Sequence, residues 1–515
     1  MDDLLSQVYD ICQHHNLTHD FRSSKPLKEQ TANDVTAPLH HLSYDDQLTI
    51  KRFMVTQALT DCSNKLRISS KAMPPWTRQL TPNTPICEIS HVVEAPEPRE
   101  AYRNKCEFSF GLQEGEAFVG FQGGPFKHRR FFDYNSMLIP NEFKQIAKLV
   151  HWYINLPQIF ELFKPWDQAK KFGYFRTITC RISDTGKLLI MFVVSEKDYK
   201  IDGQLCGQVA KLKHDLVKLI TTNSPNFELV TTVESKPLTV DFTVEGVLYL
   251  NFEGVSVPSA DNLSNFEVIY GRDHIVSSIC GLNFDIGIDA FFQVNKAAAE
   301  LLYKQAIDWC FQESSTESDL FLDVCCGTGT IGLTVAKNRN THVIGVDICE
   351  TAVENANKNA KDNGISKAQF HSGPAENVLG PIVSNFLASN PNISNISAIV
   401  DPPRGGLHKN ASLALRKTKE LTKFVYIACK VTSLADCLPA ICRRASHYIP
   451  GIPFKPTKAC IVDLFPGTPH CECLILFERI SLEEAMTPDP GLGEDVVCRK
   501  RKRSQLEVMM KRKNK

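Results

Sequence analysis

The chain is poor in everything that would tie it to a membrane, an export route or a metal. No apolar run approaches the ~20 residues that a membrane helix needs. The opening Met1-Asp-Asp-Leu-Leu-Ser-Gln has neither the basic start nor the apolar stretch of a signal peptide, so an intracellular protein is expected, in cytosol or nucleus. Among 18 cysteines there is no Cys-x-x-Cys pair, and neither adjacent Cys325-Cys326 nor alternate Cys471 and Cys473 suits chelation from a short loop. No metal site is expected, and the thiols should be reduced. Net charge is missing too, since 58 Lys and Arg offset 58 Asp and Glu. The segment from Arg499 to Lys515 nonetheless carries nine Lys or Arg against Glu507, a net of +8 that leaves −8 for the rest. Any RNA contact must then rest on local basic patches.

What is present suits a globular protein of two or three domains, with 43% hydrophobic and 23% charged residues in 515. Residues 1–45 are polar and read as a weakly ordered leader. Residues 46–100 read as a helix and a Pro-rich linker, with Ile50, Phe53, Met54, Ala58 and Leu59 at helical spacing. Residues 101–287 alternate like strands, as in Cys106-Glu-Phe-Ser-Phe-Gly and Leu188-Leu-Ile-Met-Phe-Val-Val, and form a β-rich α+β domain. From 288 to 480 helices and short buried strands take turns, which builds an α/β, Rossmann-like doubly wound sheet with its ligand site at the carboxyl ends of the strands. Residues 481–515 read as a disordered basic tail.

Within the doubly wound part, Phe321-Leu-Asp-Val leads into the turn Cys325-Cys-Gly-Thr-Gly-Thr330. Gly327 and Gly329 let a backbone come close to a nucleoside, having no Cβ in the way. Twenty residues after Gly327, Asp347 ends a strand, where its carboxylate can accept hydrogen bonds from a ribose diol. Gly327, Gly329 and Gly332 also satisfy the dinucleotide pattern, so the turn alone leaves both S-adenosylmethionine and a nicotinamide dinucleotide open. Asp401-Pro-Pro-Arg404 adds a stiff extended wall suited to a planar base. Cys429 ends the strand Phe424-Val-Tyr-Ile-Ala, and Glu472 precedes the apolar run Cys473-Leu-Ile-Leu-Phe. Single cysteines are more often buried apolar residues than nucleophiles, but a thiol and a carboxylate beside a cofactor turn can perform covalent substitution on a pyrimidine.

Five segments together resemble the RNA uracil-5-methyltransferase family: Tyr102-Arg-Asn-Lys-Cys-Glu-Phe108, Phe291-Phe-Gln-Val-Asn295, Leu322-Asp-Val-Cys-Cys-Gly-Thr-Gly-Thr-Ile-Gly332, Asp401-Pro-Pro-Arg404 and Asp463-Leu-Phe-Pro-Gly-Thr-Pro-His-Cys-Glu472. The resemblance covers about Tyr102 to Arg479. It implies a methyltransferase domain behind an RNA-facing β-rich domain, S-adenosylmethionine as cofactor and tRNA as partner, with the T-loop uridine as target. By the same resemblance Gln293, Asp347 and Asp401 contact the cofactor beside Cys325, Gly327, Gly329 and Thr330, Cys429 is the nucleophile and Glu472 the base. One departure is that the family reads Ser-Cys-Asn-Pro around the nucleophile, where this chain has Ala428-Cys-Lys-Val431. Lys430 can either help hold the thiolate or point to solvent. Lys127-His-Arg-Arg130, Lys170, Lys171 and Arg176, with Phe172, Tyr174 and Phe175 for stacking, read equally as phosphate contacts and as a solvated face. Two rivals stand beside this reading: a nicotinamide-dependent dehydrogenase, and an RNA-binding or tRNA-folding protein whose chemistry has decayed.

Overall fold

The computed structural model describes residues 29–68, 75–124, 130–168, 170–201, 204–205, 207–222, 242–254, 265–311, 320–339, 341–393, 395–446 and 449–486. Residues 1–28 of the expected leader, 127–129 of the expected basic run and 487–515 of the expected tail lie outside the described residues, whereas the start of that tail, Leu482–Met486, is a short helix rather than disordered.

Eight short apolar runs make one sheet, in the order Glu88–Val93, Phe454–Val462, Glu472–Arg479, Leu421–Ala428, Ile396–Val400, Leu320–Val324, His342–Asp347 and Ala368–Ser372. From Leu421–Ala428 to Ala368–Ser372 every pairing is parallel, whereas Glu472–Arg479 is antiparallel to both of its neighbours. All residues of Leu320–Val324 and Ile396–Val400 are buried, as helices on both faces of a parallel sheet require. Alternation sorts the side chains between two cores. Leu322, Ala398, Tyr426 and Ile475 enter one, and Phe321, Ile399, Ile427 and Leu474 the other. This is the doubly wound sheet expected from the sequence.

The β-rich part is a seven-stranded sheet, in the order Glu267–Gly271, Thr243–Asn251, Lys187–Val194, Phe175–Ile182, Lys105–Gln113, Glu116–Gly123 and Arg130–Phe132. One of its faces packs on the helix Asn141–Ile154, whose Phe143, Ile146, Ala147 and Val150 recur at helical spacing, and on the helix Gly207–Thr221. Its other face, through Leu189, Met191 and Leu248, shares a core with the hairpin His274–Gly287, the helix Lys296–Phe311 and the larger sheet. The two sheets are thus joined by continuous apolar packing.

Residues ahead of the β-rich part contribute more than the expected helix and linker. The helix Tyr44–Ile68 sends Val55, Leu59, Cys62 and Leu66 into the same core as Phe424 and Phe454. Glu88–Val93 then adds an edge strand, parallel to Phe454–Val462. Its Glu-Ile-Ser-His start is polar and half exposed and its neighbours are prolines, which is why the sequence reads as linker there. Within the expected leader, Ala32–Thr36 is a short helix closed by a reciprocal Thr31 and Asp34 capping box. Lys51 and Asp463 pair at 2.5 Å with both side chains fully buried. Removing one partner of such a pair costs about 3–5 kcal/mol, because the other charge stays behind in a dry site.

Candidate active site

The strands Leu320–Val324, His342–Asp347, Ile396–Val400 and Leu421–Ala428 all point their carboxyl ends at one edge of the sheet. The winding direction reverses there, and open α/β sheets bind their ligands at that place. Because Glu472–Arg479 runs the other way, its amino end lies at the same edge. Five segments far apart in the chain therefore deliver their functional residues to one cleft.

The turn after Val324 forms one side. Cys325 adopts φ +64°, and the amides of Cys325 and Cys326 both donate to Val346 O, at 2.9 and 3.1 Å. Asp347 accepts from Gly327 N through Oδ2 and from Cys349 N through Oδ1, each at 2.9 Å. Gly329, at φ +81°, could not carry a side chain, since a Cβ would stand 2.8 Å from the Phe370 ring. Gly327 is also left-handed, at φ +52°, but no protein atom lies within 4 Å of where its Cβ would be. Thr330 opens the helix Thr330–Arg339. Open space over Gly327, a partly exposed Asp347 carboxylate that keeps a spare lone pair on each oxygen, and Ile348 at 75% exposure fit a nucleoside with a vicinal diol. Gln293 sits just before the helix Lys296–Phe311, with its carbonyl oxygen held by Asn104 Nδ2 at 2.9 Å. Its side chain is near Tyr303, whose buried hydroxyl also feels the charge of Asp401.

The other side holds the thiol and the carboxyls. Ala428 and Cys473 form the last pair of the ladder, so Cys429, one residue past its strand, comes near Glu472, the first residue of the other strand, and feels its charge. Glu472 is buried, its Oε2 has no hydrogen-bond partner among the described residues, and its carboxyl is held well above the usual range by burial and then by Asp401. Burial likewise pushes Asp401 up to about 7, and its amide donates to Val324 O at 3.1 Å. Cys429 is exposed, and its thiol is raised by partial burial and by the charges of Glu472 and Asp401. The guanidinium of Arg404 works against the rise at both Cys429 and Glu472.

Several expectations about individual residues change. The cation that favours the thiolate is Arg404 rather than Lys430, which is exposed. The missing Asn-Pro after the cysteine is replaced by a local turn, in which Ser433 donates to Lys430 O from its amide at 3.0 Å and its hydroxyl at 2.8 Å. Tyr174 and Phe175 are fully buried and cannot stack on RNA. Arg176 is 8% exposed, donates to Phe252 O at 3.1 Å and lies over the Trp166 ring, so it is not free for phosphate. Phe172 is 46% exposed, and Lys170 pairs with Asp167 at 3.2 Å. Phe291, two residues from Gln293, is 74% exposed, and its segment entered the sequence analysis only as part of the resemblance, with no contact assigned to this ring. An aromatic at that exposure carries no signal in a single sequence.

The family model Methyltransf_31, described as a methyltransferase domain, matches residues 315–386. The tRNA (uracil-5-)-methyltransferase homolog A of Homo sapiens is 35% identical over 455 residues, which are 87% of this chain and 67% of that one. The tRNA (uracil-5-)-methyltransferase homolog B of Danio rerio is 30% identical, over 88% of this chain and 87% of its own. The solved Pyrococcus abyssi tRNA (uracil-54, C5)-methyltransferase, in complex with S-adenosyl-L-homocysteine, superposes with a TM-score of 0.57 at 20% identity, over 86% of each chain. That likeness is one of fold. Taken with the extent of the sequence match, these findings make the chain a member of the tRNA (uracil-5-)-methyltransferase family.

Proposed function

We propose that the protein methylates carbon 5 of a uridine in tRNA, with S-adenosylmethionine as cofactor, and that the target is the T-loop uridine at position 54, the position named for the archaeal relative in fold. The observation that carries this is the placement of Cys429 near Glu472 at the carboxyl edge of the sheet, across the cleft from the Gly327 turn.

Carbon 5 of uracil is a weak nucleophile, so the protein must first enrich it with electrons. Cys429 is exposed and loses its proton to water. Its thiolate forms a bond to carbon 6, and the electrons of the ring double bond move towards carbon 5 and the carbon 4 oxygen. S-adenosylmethionine, when bound, supplies the electrophilic methyl group. Gln293, Asp347 and the Gly327 turn would hold it. Glu472 takes the carbon 5 proton, the bond from carbon 6 to sulfur breaks, and the ring double bond returns as the thiolate leaves. Arg404 favours the charged forms of both groups, so it supports the start and the end of the sequence. The uridine must leave its stack to reach this cleft, and an exposed aromatic such as Phe291 offers it a surface.

Mass spectrometry of nucleosides tests the proposal. A tRNA transcript incubated with protein and S-adenosylmethionine should gain 5-methyluridine, and a transcript with cytidine at position 54 should gain none. A dehydrogenase would instead take up a nicotinamide cofactor in calorimetry, and a protein whose chemistry had decayed would bind tRNA without turnover.

A further inference from the structure

We propose that Lys51 is a positioning residue for Glu472 and that Gln47 acts with it, so that the helix Tyr44–Ile68, which supplies neither the thiol nor the carboxyl, is part of the reaction machinery. The proposal rests on the reading of Glu472 as the acceptor of the carbon 5 proton.

The segment Asp463 to Glu472 is the only covalent route from the buried strand Phe454–Val462 to the strand that begins at Glu472. It contains Pro466, Gly467 and Pro469 and makes no ladder of its own. Its shape therefore comes from what grips it. Lys51 Nζ donates to Asp463 Oδ1 at 2.5 Å and to Phe465 O at 3.1 Å. Phe465 O also accepts from Thr468 N at 3.2 Å and Thr468 Oγ1 at 2.9 Å, and Thr468 Oγ1 accepts from His470 N at 3.2 Å, two residues before Glu472. One ammonium group thus fixes the first bond of a chain that ends beside the carboxyl. Gln47, one helical turn before Lys51, accepts from Gly467 N through Oε1 at 2.8 Å, and Gly467 O accepts from Leu39 N at 2.9 Å.

The need for such a grip follows from the site. Among the described residues Glu472 Oε2 is buried without a hydrogen-bond partner, so no hydrogen bond at that atom holds it in place. Its direction has to be inherited from the backbone behind it. Misplacement by about 1 Å can slow a step roughly 100-fold, whereas Cys429, on the turn after a separate strand, does not depend on the 463–472 segment for its position. Loss of Lys51 should therefore spare bond formation to carbon 6 and slow proton removal.

The test follows single turnovers of the full chain on an unmodified tRNA transcript with S-adenosylmethionine, separating the protein–RNA adduct on denaturing gels. Lys51→Met should form adduct at close to the normal rate and resolve it about 10- to 100-fold more slowly. Gln47→Ala should shift resolution in the same direction by less, and it decides the matter should Lys51→Met fail to fold. Equal slowing of formation and resolution would make the two residues general scaffolding and overturn the proposal, as would normal resolution in both variants. Glu472→Gln serves as reference. If it accumulates adduct and the other two variants do not, only the role of Lys51 and Gln47 falls; if it too accumulates none, the reading of Glu472 falls first.

Discussion

Cys429 follows the last ladder pair, Ala428 with Cys473, and so neighbours Glu472, yet the thiol is open to solvent while the carboxyl is only 5% exposed. A ring entering the cleft meets sulfur first and finds the proton acceptor in a drier place behind it. Cys429→Ala should abolish 5-methyluridine formation while calorimetry shows S-adenosylmethionine binding unchanged. Glu472→Gln should trap a protein–RNA adduct on a denaturing gel. Turnover by the alanine variant would remove Cys429 from the mechanism.

The charges around the thiol make a signed prediction about pH. Burial, Glu472 and Asp401 raise the Cys429 thiol, and Arg404 lowers it. Glu472→Gln removes one negative neighbour, so the thiolate should appear at lower pH than in the unaltered protein. Arg404→Gln removes the opposing cation and should move it to higher pH. Peptide-resolved alkylation by iodoacetamide across pH 6–10 reads the Cys429 thiolate directly and separates it from the exposed Cys349. Coincident profiles for all three proteins would show that these charges do not reach the sulfur.

Gly327 offers a test of the cofactor cradle. Alanine there must adopt φ +52°, at a cost of roughly 1 kcal/mol, and its methyl would enter the open space above the turn. Gly327→Ala should lower the melting temperature by a few degrees but weaken S-adenosylmethionine binding about tenfold or more, a loss of ~1.4 kcal/mol or greater. Unchanged affinity in calorimetry would place the nucleoside elsewhere.

Asp323, beneath the same turn, should leave its mark on stability. Burial, helped by the charges of Asp401 and Asp347, pushes its carboxyl up to about 7 against an ordinary value of 3.8, although Gly332 N donates to it at 2.8 Å. An acid with a raised folded pKa holds its proton more tightly in the folded chain, so its destabilising effect grows from about pH 4 to 7 and then stays constant. Asp323→Asn, which keeps an oxygen for Gly332 N, should flatten the urea-unfolding stability curve over that range. An unaltered curve would mean that the carboxyl titrates normally.

The sequence made the parallel strands legible because each is a short apolar run buried on both faces, as in Phe321-Leu-Asp-Val and Ala398-Ile-Val. It brought the turn, Asp347, Asp401, Cys429 and Glu472 together only through their motifs. The register that sets Ala428 against Cys473 is a contact between distant segments, and local pattern does not encode it. Interleaved aromatic and basic residues read the same on a surface and in a core, which is why the sequence leaves Tyr174, Phe175 and Arg176 open as RNA contacts. Lys51 carries no signal in the sequence, because nothing nearby in the chain announces Asp463 as its partner.

Glu472–Arg479 is laced to a neighbour along both flanks, whereas the chain leaves its own strand at Ala428, just before the sulfur. The carboxyl therefore rides on a strand paired along both flanks, and the thiol on a turn. The accommodation that a bulky RNA loop demands on arrival falls to the segment carrying Cys429, and deuterium uptake should respond to tRNA there while remaining slow and indifferent along the strand that follows Glu472.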